Sequence, residues 1–230
     1  MDYQFDFSFL ATSWRDILDG VWLTIRMSVL SIALGFAAGA VFAVTRVYGR
    51  PWASKAVAWY VDLIRNTPLV IQAFWLFFGL AAMHVRVPAL TAAVFALVVN
   101  VAAYTTEIIR AGIESIPKGQ LEAAECLGLP RWRVIWHVIL PQAVEKMYPA
   151  LISQFVLMML ATSIMSQISA EELTAIGYRI QSETFRGFEI YIVIAVVYLV
   201  LSWMLRLIME QGARIAFPRR RRLAAAAAAK

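Results

Sequence analysis

Five stretches of this chain are apolar for long enough to cross a lipid bilayer, and nothing else in the sequence limits the fold so strongly. A hydrocarbon core of about 30 Å takes roughly 20 apolar residues of helix to cross. The stretches run Gly20–Val44, Ala56–Leu80, Ala89–Ile109, Met147–Ile168 and Tyr191–Ile208. The second is the least regular, being interrupted by Asp62, Arg65, Asn66 and Pro68. Composition points the same way. Of 230 residues, 61% are hydrophobic and 16% charged, whereas a soluble domain is about half apolar and a quarter charged. The surplus apolar surface needs lipid as its solvent, so an all-α membrane protein with five transmembrane helices is expected.

An odd number of crossings places the termini on opposite sides, and the basic residues choose between the two orientations. With the N-terminus outside, the cytoplasmic segments hold Arg46, Arg50, Lys55, Arg110, Lys118, Arg131, Arg133, Lys146, Arg206, Arg214, Arg219 to Arg222 and Lys230. Only Arg15, Arg86, Arg179 and Arg186 then lie outside. The expected layout is an external segment 1–19, a transmembrane domain 20–210 with a cytoplasmic loop at about 111–146, and a basic cytoplasmic tail 211–230. The Arg219–Arg222 run suits contact with anionic lipid, and the Ala224–Ala229 run is of low complexity. Residues 1–19 carry four aspartates against Arg15 alone. That is unlike the basic leader of a signal peptide, so the first stretch is expected to be retained as a span. The single cysteine, Cys126, permits no intrachain disulfide.

The sequence holds no G-x-x-x-x-G-K-[ST] phosphate loop, no HExxH and no clustered Cys/His set. No catalytic residue, metal ligand or cofactor is therefore assigned to this chain. If it drives transport, the energy comes from another chain or from an ion gradient.

The segment between the third and fourth stretches is punctuated like two short helices. Ser115 is placed to cap a helix starting near Ile116–Pro117. Gly128 suits its C-terminal end, with Pro130 just beyond. A second helix is expected from about Arg131 until Pro141. Ile116, Ala123, Ala124 and Leu127 share one face of the first helix; Trp132, Ile135, Trp136 and Ile139 form a stripe on the second. The pattern fits a rigid knob, but periodicity alone favours an interfacial amphipathic helix.

Glu122-Ala123-Ala124, then Gly128, then Val138-Ile139-Leu140-Pro141 resembles the EAA loop of ABC importer permeases, with valine in place of the usual isoleucine. Tyr104 to Gln120, Arg65-Asn66-Thr67-Pro68-Leu69 and Thr184-Phe185-Arg186-Gly187-Phe188-Glu189 resemble permeases for histidine, glutamine, glutamate and arginine. One departure is Leu160-Ala161-Thr162-Ser163, where many relatives place a lysine before a similar pair. The resemblance implies the type I ABC importer permease architecture in a bacterial inner membrane. It implies a second permease subunit, identical or paralogous, together with two cytoplasmic ATPase subunits that bind ATP and Mg. It also implies a periplasmic solute-binding protein, and Glu122, Ala123, Ala124 and Gly128 as the contact with the ATPase. No nucleic-acid partner is expected.

Polar residues within a span are costly and need a reason. At 1.5 Å per residue from Lys55, Arg65 to Pro68 lie about 15–20 Å deep. Pro68 cannot donate to the carbonyl of Ile64, so the helix should break there. A broken helix exposes backbone groups and a positive N-terminal end that can receive a carboxylate. The candidate substrate pathway is Arg65, Asn66, Thr67, Gln72, Asn100, Thr162, Ser163 and Gln167. Against this stand purely structural roles: interhelical hydrogen bonds for the polar groups, and an ion pair with Asp62 for Arg65. The leading function is an ATP-driven importer of polar amino acids. The alternatives are import of a related zwitterion such as an opine or ectoine, an ATP-independent channel, and a membrane enzyme. The last lacks a catalytic cluster, since the only histidines, His84 and His137, are predicted on opposite sides.

Overall fold

The computed structural model describes residues 4–216; the Arg219–Arg222 and Ala224–Ala229 features lie outside them. The described residues are almost wholly helical, with no strand among them. Helices occupy Leu10–Tyr48, Pro51–Arg65, Leu69–Ala82, Ala89–Glu114, Lys118–Cys126, Arg131–Ile168, Leu173–Thr184 and Gly187–Ala216. Four of them are long and apolar enough to cross a membrane singly. The pair Pro51–Arg65 and Leu69–Ala82 bends by 104° at the break between its members.

Helix directions decide whether that bent pair crosses. Gly35 of the first span faces Val101 of the third, and four residues on Gly39 faces Thr105. The first and third spans therefore run parallel. A chain leaving the first span must return through the bundle before it can start the third. The bent pair makes that return: Ser54 bonds back to Arg46, and Tyr60 packs its ring on Phe42 and donates to the carbonyl of Val99. The fourth span runs antiparallel to the third, Met147 meeting Gly112. The fifth runs back again, with Tyr148 bonded to the Met209 carbonyl and Tyr198 to Glu172. There are five crossings, and the described ends lie at opposite ends of the bundle.

Glycine sets how closely the two parallel spans approach. A Cβ at Gly35 would lie 2.5 Å from Cβ of Val101, and one at Gly39 would lie 2.7 Å from Cβ of Thr105. Around this seam Met27, Ala43, Leu97, Val101, Leu151 and Phe155 are buried as the main core. A second cluster of Phe9, Ile17, Leu173, Ile176, Ile180 and Ile190 lies at the end of the first helix nearer its start.

The first helix begins at Leu10, ahead of the apolar stretch; Ile17 is buried against Leu173–Thr184, and Asp16 pairs with Arg179. Two expectations change here. Ser115 does not cap the loop helix. Its Oγ donates to the Gly112 carbonyl, finishing the previous helix, and Pro117 precedes Lys118–Cys126 with no side-chain cap. The helix from Arg131 does not stop at Pro141 but continues to Ile168. A stretch of π-helix at Ile135–Ile139, where the N–H of Leu140 reaches the Ile135 carbonyl, lets the backbone pass the proline. The side chain of Gln142 donates to the Val138 carbonyl at 2.8 Å in the same turn.

Candidate functional site

Pro68 has no N–H and disfavours helical geometry in the residue before it, so the second span must open there. The open ends are tied by side chains. Asn66 Nδ2 donates to the Asp62 carbonyl at 2.7 Å, and Thr67 Oγ1 to the Leu63 carbonyl at 2.9 Å. Gln72 Nε2 donates to the carbonyls of Ile64 and Thr67 and to Thr67 Oγ1. Asn100, buried in the third span, donates to Gln72 Oε1 at 3.2 Å. The freed carbonyls of Leu63, Ile64 and Thr67, which would be costly if left unpaired in lipid, thus meet side-chain donors. Gln72 is a bolt holding the break in shape.

An open cleft of about 500 Å³ lies at the break. Its walls are Arg65 to Leu69, Asn100 and Tyr104 of the third span, and Gln154, Leu157, Met158, Ala161 and Ile164 of the fourth. Of the sequence candidates, the structure brings Arg65, Asn66, Thr67 and Asn100 together here, with Gln72 behind them. Thr162, Ser163 and Gln167 do not line the cleft. Thr162 is buried with Oγ1 donating to the Met159 carbonyl, and Ser163 donates to the Leu160 carbonyl. Ala161, at the end of the α-helical part, and Ile164, in the 3-10 turns of Thr162–Ile168, face the cleft instead. Tyr104 and Gln154 were missed. The signal for Tyr104 was its place four residues after Asn100, on the same helix face.

Arg65 makes no ion pair with Asp62. Its guanidinium lies 5.3 Å from the centre of the Tyr104 ring, a contact of about 0.5–1 kcal/mol where exposed. Beyond the pair a second cavity of about 350 Å³ is lined by Glu107, Ala111, Gly112, Ser115, Lys146, Met147 and Ala150. Arg65 and Tyr104 line both cavities. Glu107 is held by Arg110, which also pairs with Glu114.

The loop between the third and fourth spans folds into a knob. Lys118–Cys126 ends in a Schellman turn: Leu129 N–H donates to the Ala124 carbonyl and Gly128 N–H to that of Glu125. Gly128 has φ +66°, the left-handed conformation that favours glycine. Ile116, Ala124, Val134, Ile139 and Ala143 form the knob's own core. Glu122, Ala123 and Gly128 are exposed, as is Leu127, at 77%. Ala124, at 4%, is not; of the four contact candidates it packs inward, because one helical face had to be spent on the core. Of the stripe on the second helix, Trp132 and Trp136 are exposed and Ile139 is buried. Gln142 bonds Gln120, and Lys146 Nζ donates to the Ser115 carbonyl at 2.8 Å. These bonds lash the knob to the fourth span.

At the other end of the bundle Glu172 caps Leu173–Thr184, accepting from the N–H groups of Thr174 and Ala175 and from Tyr198 Oη at 2.6 Å. Burial pushes its carboxyl above the usual carboxylate range, although these donors pull it back. Among the described residues no His, Cys, Asp or Glu group is arranged to hold a metal.

Residues 31–222 match the family model described as "Binding-protein-dependent transport system inner membrane component". The chain is 35% identical over 210 residues to the glutamine transport system permease protein GlnP of Escherichia coli (strain K12), covering 90% of this chain and 96% of that one. It is 33% identical over 208 residues to the octopine transport system permease protein OccM of Rhizobium radiobacter, covering 86% and 85%. Among solved structures, a crystal structure of an amino acid ABC transporter with histidines superposes with a TM-score of 0.86 at 33% identity, covering 92% of this chain and 99% of that chain. The methionine transporter MetNI in an inward-facing form shares the fold, with a TM-score of 0.74 at 20% identity over 89% and 98% of the two chains.

Proposed function

The chain belongs to the family of inner membrane components of binding-protein-dependent transport systems, and from that premise we propose that it carries polar amino acids inward through the cleft at its broken span. As an ABC importer permease it supplies the membrane path and holds no ATPase site of its own. The observation that carries the proposal is the cleft itself. Arg65, Asn66 and Pro68 are exposed at the depth of the spans, and Gln154 and Asn100 line the same opening. Such a face is too polar for lipid, so it faces a second permease subunit, either another copy or a paralogue, with the path between them. Arg65 and the polar side chains opposite suit a solute bearing a carboxylate and an amino group. The relatives named for glutamine and for octopine differ little in identity to this chain, at 35% and 33%. The substrate class is therefore an amino acid or an amino-acid-derived zwitterion.

In this reading the N-terminus lies outside and the knob lies in the cytoplasm of a bacterial cell. Two ATPase subunits bind ATP and Mg, and a periplasmic binding protein delivers the solute. Each knob seats on an ATPase through Glu122, Ala123, Leu127 and Gly128, while Ala124 holds the knob's shape. Closure of the ATPases moves the knob, and the fourth span carries the motion to the wall of the cleft. The test is reconstitution of the permease pair with its ATPase and binding protein in proteoliposomes. Glutamine uptake that requires ATP and the binding protein is the expected result. Uptake of equal rate without the ATPase overturns this reading in favour of a channel.

A further inference from the structure

We propose that Arg65 and Tyr104 form the gate between the two cavities, the guanidinium lying against the ring to close the passage from the cleft to the groove beneath. This rests on the transport reading above and adds to it the residues that separate the compartments. The two cavities lie on the same side of the third span, one bordered by Asn100 and Tyr104 and the other by Tyr104, Glu107, Ile108 and Ala111. They are successive compartments along one helix face, and the residues they have in common are Arg65 and Tyr104.

The chemistry of the pair suits a part that opens. Arg65 ends the helix Pro51–Arg65 immediately before the break, and its long side chain is exposed, so the guanidinium can swing off the ring while the bolted backbone stays in place. Its guanidinium lies over the face of a ring 5.3 Å away. The nearby carboxylate of the groove, Glu107, is already engaged by Arg110. A cation–π contact is weak and has little directional demand, unlike the bidentate carboxylate pair that arginine forms when it serves as a fixed strut. A solute carboxylate reaching the cleft competes with the ring for the guanidinium and so draws the gate open. Tyr104 is the fixed half, on an unbroken helix whose neighbours Ala103 and Thr105 are buried.

The test uses the assembled transporter, free of nucleotide, in membrane vesicles with Cys126→Ser. Ala161→Cys places a thiol in the cleft, and a membrane-impermeant maleimide is supplied from the face that the knob occupies. With Arg65 and Tyr104 intact, labelling is slow. Tyr104→Leu and Arg65→Gln each speed it at least tenfold, whereas Tyr104→Phe, which keeps the ring, does not. Equal rates in all four backgrounds overturn the gate, as does Tyr104→Phe labelling as fast as Tyr104→Leu. If Arg65→Gln fails to assemble, the contrast between the two Tyr104 variants decides alone. Ala150→Cys, in the groove below the pair, checks the orientation separately. If reagent reaches it only from the opposite face, the orientation in the transport reading is overturned, and the gate is judged from that face by the same four rates.

Discussion

At Gly128 the backbone adopts φ +66°, yet nothing lies within 4 Å of where a Cβ would stand. Any cost of substitution there is conformational rather than steric. Gly128→Ala should destabilise the Schellman turn by about 1–2 kcal/mol, and Gly128→Asn by less, because asparagine tolerates the left-handed region. The loss is local, so the measurement is hydrogen exchange at the Leu129 amide, which closes the turn on Ala124. Exchange should quicken roughly five- to thirtyfold in the alanine variant. Gln72 gives a contrasting case: Gln72→Leu removes the bonds to Ile64, Thr67 and Asn100 at once. At about 0.6 kcal/mol for each bond in a membrane, thermal unfolding in detergent should show a loss of roughly 2 kcal/mol. Glu172 adds a pH dependence. Its folded pKa is raised by burial, so its ionised form is the less favourable one in the fold. Stability is then greatest below the unfolded value and declines as pH rises through the raised one. Glu172→Gln should flatten that decline in a melting curve. Sequence reading could see Gly128 because its role is local. It could not see that Gln72 bolts the break, since that depends on a partner 28 positions away.

Among the helices, the fourth span does most to join the two functional regions. Arg131–Ile168 runs unbroken from the knob to the cleft, 38 residues or about 57 Å of helix. At one end Val134 and Ile139 lie in the knob core, and further along Leu157, Met158 and Ala161 form the cleft wall. A rod couples only while it is stiff. Inserting two glycines between Gln142 and Ala143 should lower ATP-driven uptake at least tenfold while assembly with the ATPase survives. Parallel assays of uptake and ATP hydrolysis in proteoliposomes measure this, and unchanged coupling would show that the motion travels another way. The continuity was hidden in the sequence because Pro141 reads as a stop. Proline removes one hydrogen bond to the preceding turn, and whether a π-turn absorbs it depends on packing that no local pattern records. The break at Pro68 was legible for the opposite reason: proline's missing N–H frees the Ile64 carbonyl whatever packs around it, and Thr67 beside it meets the Leu63 carbonyl from within the same segment.

For the molecule as a whole, the sequence supplied five apolar stretches but could not say that the irregular second one crosses. A helix pair bent by 104° could also dip into the membrane and return. The parallel packing of the first and third spans removes that choice, because a re-entrant pair would force them to be antiparallel. Which end faces the cytoplasm still rests on the distribution of basic residues, and the chain carries its own probe. Cys126 is the single cysteine, and it is exposed on the helix Lys118–Cys126, close to the surface assigned to the ATPase. A membrane-impermeant maleimide should therefore label the unmodified protein in inverted vesicles and leave it unlabelled in intact spheroplasts. Adding the ATPase partner should then slow labelling in the inverted vesicles, because Glu122 and Ala123 precede Cys126 by only one helical turn. Labelling from the outer face alone would invert the topology. Rapid labelling from the inner face that the bound ATPase leaves unchanged would keep the topology and move the docking surface off this helix. The two halves of the functional reading, orientation and coupling, thus come apart in one experiment on the native cysteine.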